Sequence, residues 1–527
     1  AVERLELNQN TSTNTISYIN GKLITLNDQH PIAESVTVSN GFITALDAKP
    51  EGQIIDLNGK VMIPGFCDSH LHLANLGRFL EELIFNNILS SQIIADMVQK
   101  KTKEIPSGNW ILGRGWDQSH WDNPEFPDAD VLDSISPNHP VALTRVDGHA
   151  IWLNKVARNL AGYNPMNTQP DGGRVINDCI FVDRSMDPVS KIIPLQQKSD
   201  IKRQVKNAVN LLNSRGITMV HDAWMTAGTL EVIRELIEEQ AFSLSCYCML
   251  ASGDDKLLDY HFKNGPTVNN SLIIRSVKAF IDGALGSRGA ALLEEYSDDP
   301  GNNGLILIST EKFRELAERC FRHGFQLNTH AIGDRGNRFV LDTYSQVLKG
   351  KNNHRWRVEH AQMVAAKDLT LFCENDIIPS MQPSHCTSDM RWMEQRIGSH
   401  RTSRISKINT FINNGLKVAG GSDCPIETGN PLMEFYAAVT RQDVNGYPES
   451  GWHAEERVPP LDALKMFTSW AAYSAFEEHR RGKIRQGYIA DFTVLSNDIT
   501  SINPVEILDT KILYTIIKGE IVYQNNQ

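Results

Sequence analysis

The chain has 527 residues, 41% of them hydrophobic and 22% charged, the composition of a globular protein able to fill a large core. Its formal net charge of −11 argues against a nucleic-acid binder, because such a protein needs a basic face to displace counterions from phosphates. No apolar run approaches the ~20 residues needed to cross a bilayer, so no membrane span is expected.

At roughly 150 residues per domain, this length predicts two to four domains, or fewer where one of them is a barrel. The polar opening reads as a loose terminus. It starts at Ala1, so a removed secretion signal stays open, and with it the compartment: cytoplasmic, or else periplasmic or secreted. The eight cysteines, Cys67, Cys179, Cys246, Cys248, Cys320, Cys373, Cys386 and Cys424, are scattered and form no CxxC pair, so they read as reduced thiols.

From Ile16 to Ile63 short β-rich runs alternate with turns, and Asn-Gly recurs at Asn20-Gly21, Asn40-Gly41 and Asn58-Gly59. Such pairs signal hairpins, because both residues tolerate positive φ. The tail returns to this style in GKIRQGYIADFTVLS and ILYTIIKGEIVYQ. One small β-sandwich built from residues 1–62 and 483–527 is expected, with two unrelated β caps as the alternative. Residues 74–200 break the pattern and are rich in Trp, Pro, Asp and Gly; they read as an insertion that could roof a site, with a separate domain as the alternative.

A different rhythm follows. Ile201, Val205, Ala208, Val209 and Leu212 fall at helical spacing, with Asp200 as N-cap and Gly216 as stop, and ITMVHDA follows as a strand. The helical stripe Phe313, Leu316, Ala317, Phe321 leads to FQLNTHA, GNRFVLDTYSQVL to RWRVEHA, KDLTLFCEN to DIIPSMQ, and ISKINTFINNG to LKVAGGSD. Repeated helix-then-strand units imply right-handed βαβ crossovers and a parallel sheet, and with this many units closure into a barrel over residues 63–482 is favoured over an open sheet.

The chemistry gathers at strand ends. MIPGFCDSHLH ends in His70 and His72, two apart and therefore on one face of a strand. His330, His360 and Asp423 close three later strands. A parallel barrel collects such ends on one face, so four imidazoles and a carboxylate would meet in a set that suits zinc or a similar divalent ion.

In these motifs the chain resembles the amidohydrolase superfamily: PGFCDSHLH, single histidines after the middle strands, and GSD at the last. Its finer resemblance is to the YtcJ-like branch that contains N-substituted formamide deformylases. That rests on GRGWDQSHW (113–121), DGHAIWLN (147–154), VKAFIDGALGSR (277–288), HAIGDRGNR (330–338), RVEHAQ (357–362), MQPSH (381–385) and GSDCPIE (421–427). The resemblance implies a distorted (β/α)₈ barrel with a β-sandwich from both chain ends. It also implies a further ligand, Lys278, carboxylated by carbon dioxide and bridging two metals; an ordinary lysine paired with Asp282 or Asp423 is the alternative.

The expected mechanism is metal-dependent hydrolysis of a C–N (amide-type) bond in a small non-peptide substrate. His70, His72 and Asp423 would hold one zinc, His330 and His360 the second, with Lys278 and a hydroxide between them. The metal-bound hydroxide attacks, and Asp423 carries the proton from it to the leaving nitrogen. Trp116, Asp117, His149, His221, Arg288, Gln382 and His385 are candidate substrate contacts, each with a structural hydrogen bond or packing as the alternative. INDCIFVDRSM (176–186) departs from the branch's usual DGxPTG-like run, which puts a formamide substrate in doubt. Ester, carbamate or cyclic-amide hydrolysis on the same centre is the alternative activity, with a non-catalytic binding or regulatory barrel behind it. A homo-oligomer stays open.

Overall fold

A computed structural model describes residues 14–526 except Asn87, Asp147, His149, Asp171, Gly172 and Asn270. Eight parallel strands form a nearly closed barrel: β1 (Phe66–Leu71), β2 (Ile217–Met225), β3 (Ser245–Ala251), β4 (Leu272–Phe280), β5 (Gln326–Ala331), β6 (Arg357–His360), β7 (Ile378–Met381) and β8 (Ala419–Gly420). Neighbours pair in sequence order, and a parallel bridge between Leu71 and Cys424 joins the last strand to the first. Seven of the strands are wholly or almost wholly buried, as sheets covered on both faces require.

Helices return the chain between strands: α1 (Lys198–Ser214) before β2, α2 (Ala227–Glu238), α3 (Asp255–Asn264), α4 (Thr310–His323), α5 (Asp334–Leu348), α6 (Leu369–Asn375), then α7 (Pro383–Ile397) and α8 (Ile408–Asn413) between β7 and β8. α4 shows why such a helix forms and stops. The Ser309 hydroxyl caps it by accepting from Lys312 N, Phe313, Leu316, Ala317 and Cys320 face the core, and Gly324 ends it in the left-handed region. Cys320 takes the buried position expected of Phe321, which is half-buried. α1 starts at Lys198, ahead of Asp200, whose carboxylate accepts from Gln197 N.

N-terminal strands form one further sheet and share a second with strands from the C-terminal end. One orders Phe42–Leu46, Val36–Ser39, Thr15–Ile19 and Gln53–Asp56; the other orders Glu520–Gln524, Ile512–Ile517, Phe492–Leu495, Val61–Pro64, Lys22–Ile24 and Ile32–Ala33. They share an apolar cluster that includes Tyr18, Val38, Leu23, Met62, Phe492 and Ile516. Only one of the three Asn-Gly pairs turns a hairpin: Asn40-Gly41 joins paired antiparallel strands. Asn20-Gly21 and Asn58-Gly59 carry the chain from one sheet to the other, so positive φ serves a corner there instead.

The chain divides into two compact units, residues up to Leu73 with Ala208 onward, and Ala74–Asn207. The second has a six-stranded sheet of its own, ordered Gly173–Ile176, Ile180–Asp183, Ala150–Leu153, Val141–Arg145, Ile111–Trp116 and Leu83–Ile84. Trp116, Trp121 and Trp152 pack together in its core, ring centroids 6.0 to 6.4 Å apart.

Candidate metal centre

The first and last barrel strands build the centre together. Asp423 N donates to His70 O at 2.7 Å and His72 N to Cys424 O at 2.9 Å, which sets GSD against the end of β1. Gly421 is required by that approach: a Cβ there would lie 2.6 Å from His70 N. Asp68 locks the pair by accepting from Ser422 Oγ at 2.5 Å and from the amides of Ser422 and His70, each at 3.1 Å.

His70 and His72 project to one side, as their two-residue spacing demands. Their Nε2 atoms lie 3.4 and 3.1 Å from Asp423 Oδ1. His70 and His360 have ring centroids 4.7 Å apart, His330 and His360 4.6 Å. His385, on the first turn of α7, stacks on His360 at 5.8 Å, with Nε2 3.6 Å from Asp423 Oδ2. Among the described residues, two sets have potential ligand atoms within 4.8 Å of one another: His70, His72, Asp423 and His360, His385, Asp423. His360 and Asp423 both adopt positive φ, +73° and +59°. That conformation costs a non-glycine residue about 1–3 kcal/mol and is characteristic of functional sites.

Burial opposes charge throughout this cluster, and specific neighbours decide each outcome. For Asp423 burial pushes the pKa up, but the neighbouring His70 and His72 imidazoles outweigh it and hold the carboxyl well below its usual range. Burial and the Lys278 charge push His70 down, and Asp423 and Glu359 more than reverse them. His70 thus sits where two carboxylates call for a cation. His360 is pushed well below the ordinary imidazole value by burial and then by the neighbouring histidines, so it is neutral and able to ligate. Burial pulls Lys278 down to about 8 against the attraction of Glu359 and Asp423.

The amidohydrolase family's sequence pattern matches residues 53–523. The chain belongs to the amidohydrolase family. It is 30% identical to the protein YtcJ of Bacillus subtilis (strain 168), over 96% of this chain and 99% of that one. It is 24% identical to the N-substituted formamide deformylase of Arthrobacter pascens, over 98% and 99%. Among solved structures, a metal-dependent hydrolase from Pyrococcus horikoshii superposes with a TM-score of 0.78 at 25% identity, covering 93% of this chain and 99% of that one.

Several residues of this amidohydrolase have environments that the sequence did not reveal. Glu359, fully buried on β6, accepts from His70 Nδ1 at 2.5 Å and is gripped by Arg357 through Nε at 2.6 Å and Nη2 at 3.0 Å. Burial would raise its pKa, but Arg357 and His70 drive it far below the usual carboxylate range. This pairing fixes His70 with Nε2 toward Asp423, the arrangement by which carboxylates orient ligating histidines. Asp282 accepts from the amides of Ala291, Ile332 and Gly333 at 2.8 to 3.0 Å and stands 3.4 Å from His330 Nε2. It therefore shapes the His330 loop, and Lys278 Nζ, wholly buried, has no hydrogen-bond partner among the described residues. The carbonyl of Gly283 also meets His330 Nε2, at 3.2 Å.

The candidate substrate contacts separate into groups. Gln382 and His385 both converge on His360; Gln382 Oε1 is 2.8 Å from His360 Nδ1. His221 corrects an expectation. It is wholly buried, its Nδ1 3.0 Å from Arg357 Nη1 and its Nε2 3.4 Å from Cys67 Sγ, so its ring nitrogens face protein and not a solute. Burial, then the Arg357 charge, keeps it neutral. Trp116 also corrects one: it is fully buried in the tryptophan core of Ala74–Asn207 and donates to Leu143 O at 2.7 Å. The Arg288 guanidinium meets Asp298 through Nε at 3.1 Å and Nη2 at 3.0 Å, so this fork is already matched to a carboxylate of the chain. Asp117 pairs with Arg145 at 2.8 Å. His149 lies outside the described residues.

Proposed function

We propose that this amidohydrolase cleaves a carbon–nitrogen bond in a small non-peptide amide, using divalent metal held at the end of the barrel. The observation that carries the reading is the pair of ligand sets sharing Asp423. The donors suit the group: imidazole nitrogens with one carboxylate fit zinc, and His70 Nε2 is a buried nitrogen with no hydrogen-bond partner among the described residues. His70, His72 and Asp423 would hold one ion, and His330 and His360 contribute to a second. Lys278, its amine buried and unbonded, would stand between them in carboxylated form. A divalent ion bound there supplies Lewis acidity and lowers the pKa of water toward neutrality.

The chain's own residues supply the rest. Asp423 stays ionised across the neutral range, so one of its oxygens can accept a proton from the attacking water and return it to the leaving nitrogen. Glu359 and Gln382 keep the His70 and His360 rings in single orientations. An amide suits this proton return, because an amine is a poor leaving group until its nitrogen is protonated. The name of the Arthrobacter relative supplies formamides as the first substrates to try. We also read the two terminal sheets as one β-sandwich domain, on their shared apolar cluster.

The test combines metal quantification of the purified chain with a screen of N-formyl, N-acyl, carbamate and ester compounds, scored by release of amine or alcohol. Bound divalent metal and amine release from an amide are expected. Protein that carries no divalent metal, or that cleaves esters while leaving every amide intact, would overturn the proposal.

A further inference from the structure

The run MQPSH sends two polar side chains to one histidine. Gln382 precedes α7, Pro383 is its first residue, and His385 follows within the first turn. Pro383 presets φ for a helix start at no cost in hydrogen bonding. Glu434, buried, pins the same turn by accepting from Ser384 N at 3.0 Å and from the Ser384 hydroxyl. His385 is thus held on a fixed turn with its ring against His360.

We propose that His385 is itself a metal ligand, completing a second ion position with His360 and Asp423. The inference rests on the hydrolytic centre described above and goes beyond it, because that reading gives the second ion His330, His360 and the shared Lys278 and leaves His385 without a role. The spacing supports the assignment. Ligand atoms about 2.1 Å from a shared tetrahedral zinc stand roughly 3.4 Å from each other. His70 Nε2 and His72 Nε2 lie 3.4 and 3.1 Å from Asp423 Oδ1, and His385 Nε2 lies 3.6 Å from Asp423 Oδ2. The two carboxylate oxygens therefore face two different imidazole sets, the disposition of a bridging ligand.

Bonding demand points the same way. Among the described residues His385 Nε2 is buried without a hydrogen-bond partner even though a carboxylate oxygen is close by. A buried polar atom left unmatched is costly, and a cation between Nε2 and Oδ2 would satisfy both. His330 differs, since its Nε2 is met by the Gly283 carbonyl and approached by Asp282, which leaves Nδ1 for any ligation.

The test counts zinc per chain in full-length wild-type, His385→Asn and His385→Gln proteins after dialysis against a weak chelator. It then records the visible spectra of the same proteins reloaded with Co(II). Loss of one tightly held ion relative to wild type, with a changed Co(II) spectrum, is the expected result. The Gln variant preserves side-chain length and carries the same readout should the Asn variant fail to fold. Unchanged ion count and Co(II) spectrum would overturn the proposal, even with a fall in kcat, and would assign His385 to substrate or proton contact. A wild type holding one ion still decides the matter, by whether the substitution weakens that ion. A wild type holding none would overturn the hydrolytic reading itself, and this inference with it.

Discussion

Asp423 and Glu359 divide the work of a carboxylate between chemistry and positioning. Asp423 faces the reacting space, so Asp423→Asn removes the proton carrier. It should lower kcat by about 10²–10⁴-fold, the usual worth of general acid–base catalysis. Steady-state rates on the best amide substrate check this, and a variant within twofold of wild type would end the assignment. Among the described residues the Glu359 carboxylate hydrogen-bonds to His70 and Arg357. Glu359→Gln should weaken metal binding about 10–100-fold, as loss of an orienting carboxylate does. Competition with a chromophoric chelator measures it; unchanged affinity would make Glu359 a structural counter-ion to Arg357. Lys278 carries a pH signature. Its amine must be neutral for the nitrogen to bond carbon dioxide and release a proton. With a pKa of about 8, roughly a tenth of the amines are neutral at pH 7, against about 0.03% for an ordinary lysine. Lowering the pKa enlarges the neutral fraction, so reloading of stripped protein with zinc, at a dissolved carbon dioxide concentration held constant across the pH series, should speed up as pH rises through 8 and level off above it. A rate flat from pH 6.5 to 9 would exclude carboxylation at this amine.

Strand ends were the elements most legible in the sequence, and short or charged strands the least. His70, His72, His330, His360 and Asp423 could be placed because each ends a short β-rich run, and closure of a parallel sheet brings such ends together. β3 escaped because SCYCMLA has neither alternation nor a ligand at its end. Arg357 and Glu359 escaped because charges on a strand ordinarily signal a solvent face, and only barrel closure turns both inward. Their two-residue spacing just before a ligand was the available clue. His385 was visible as a histidine after β7, but the contact with His360 depends on a helix start that periodicity does not locate. β8 is the most exacting element. It is two residues long, and the glycine after it lies against the β1 backbone. Gly421→Ala would place a methyl 2.6 Å from His70 N, where backbone has to move. Overpacking of this kind costs about 1–3 kcal/mol, so the variant should melt lower and lose metal together. Thermal denaturation with metal analysis checks it; wild-type values for both would show that β8 and β1 tolerate separation.

At the scale of the molecule, both ligand sets found among the described residues link metal to the barrel. An ion that binds the native state and not the unfolded chain adds stability by mass action, about 2.7 kcal/mol when free metal is a hundredfold above Kd. The candidate ligands come from β1, β4, β5, β6, the residues just after β8 and the turn opening α7, so the added stability should fall on those segments. Ala74–Asn207 has no residue in either ligand set, and its sheet packs on its own tryptophan core. That sheet was hidden in the sequence because a stretch crowded with Pro, Asp and Gly reads as loop, while its order comes from Trp116, Trp121 and Trp152 packing together. Hydrogen exchange before and after chelation distinguishes the two regions. Amides of Phe66–Leu71, Gln326–Ala331, Arg357–His360 and the first turn of Pro383–Ile397 should exchange faster in stripped protein. Those of Val141–Arg145, Ala150–Leu153 and Ile180–Asp183 should keep their rates. Equal acceleration in both regions would mean that the metal stabilises the chain as one cooperative whole, and no change in either would remove metal from the native structure altogether.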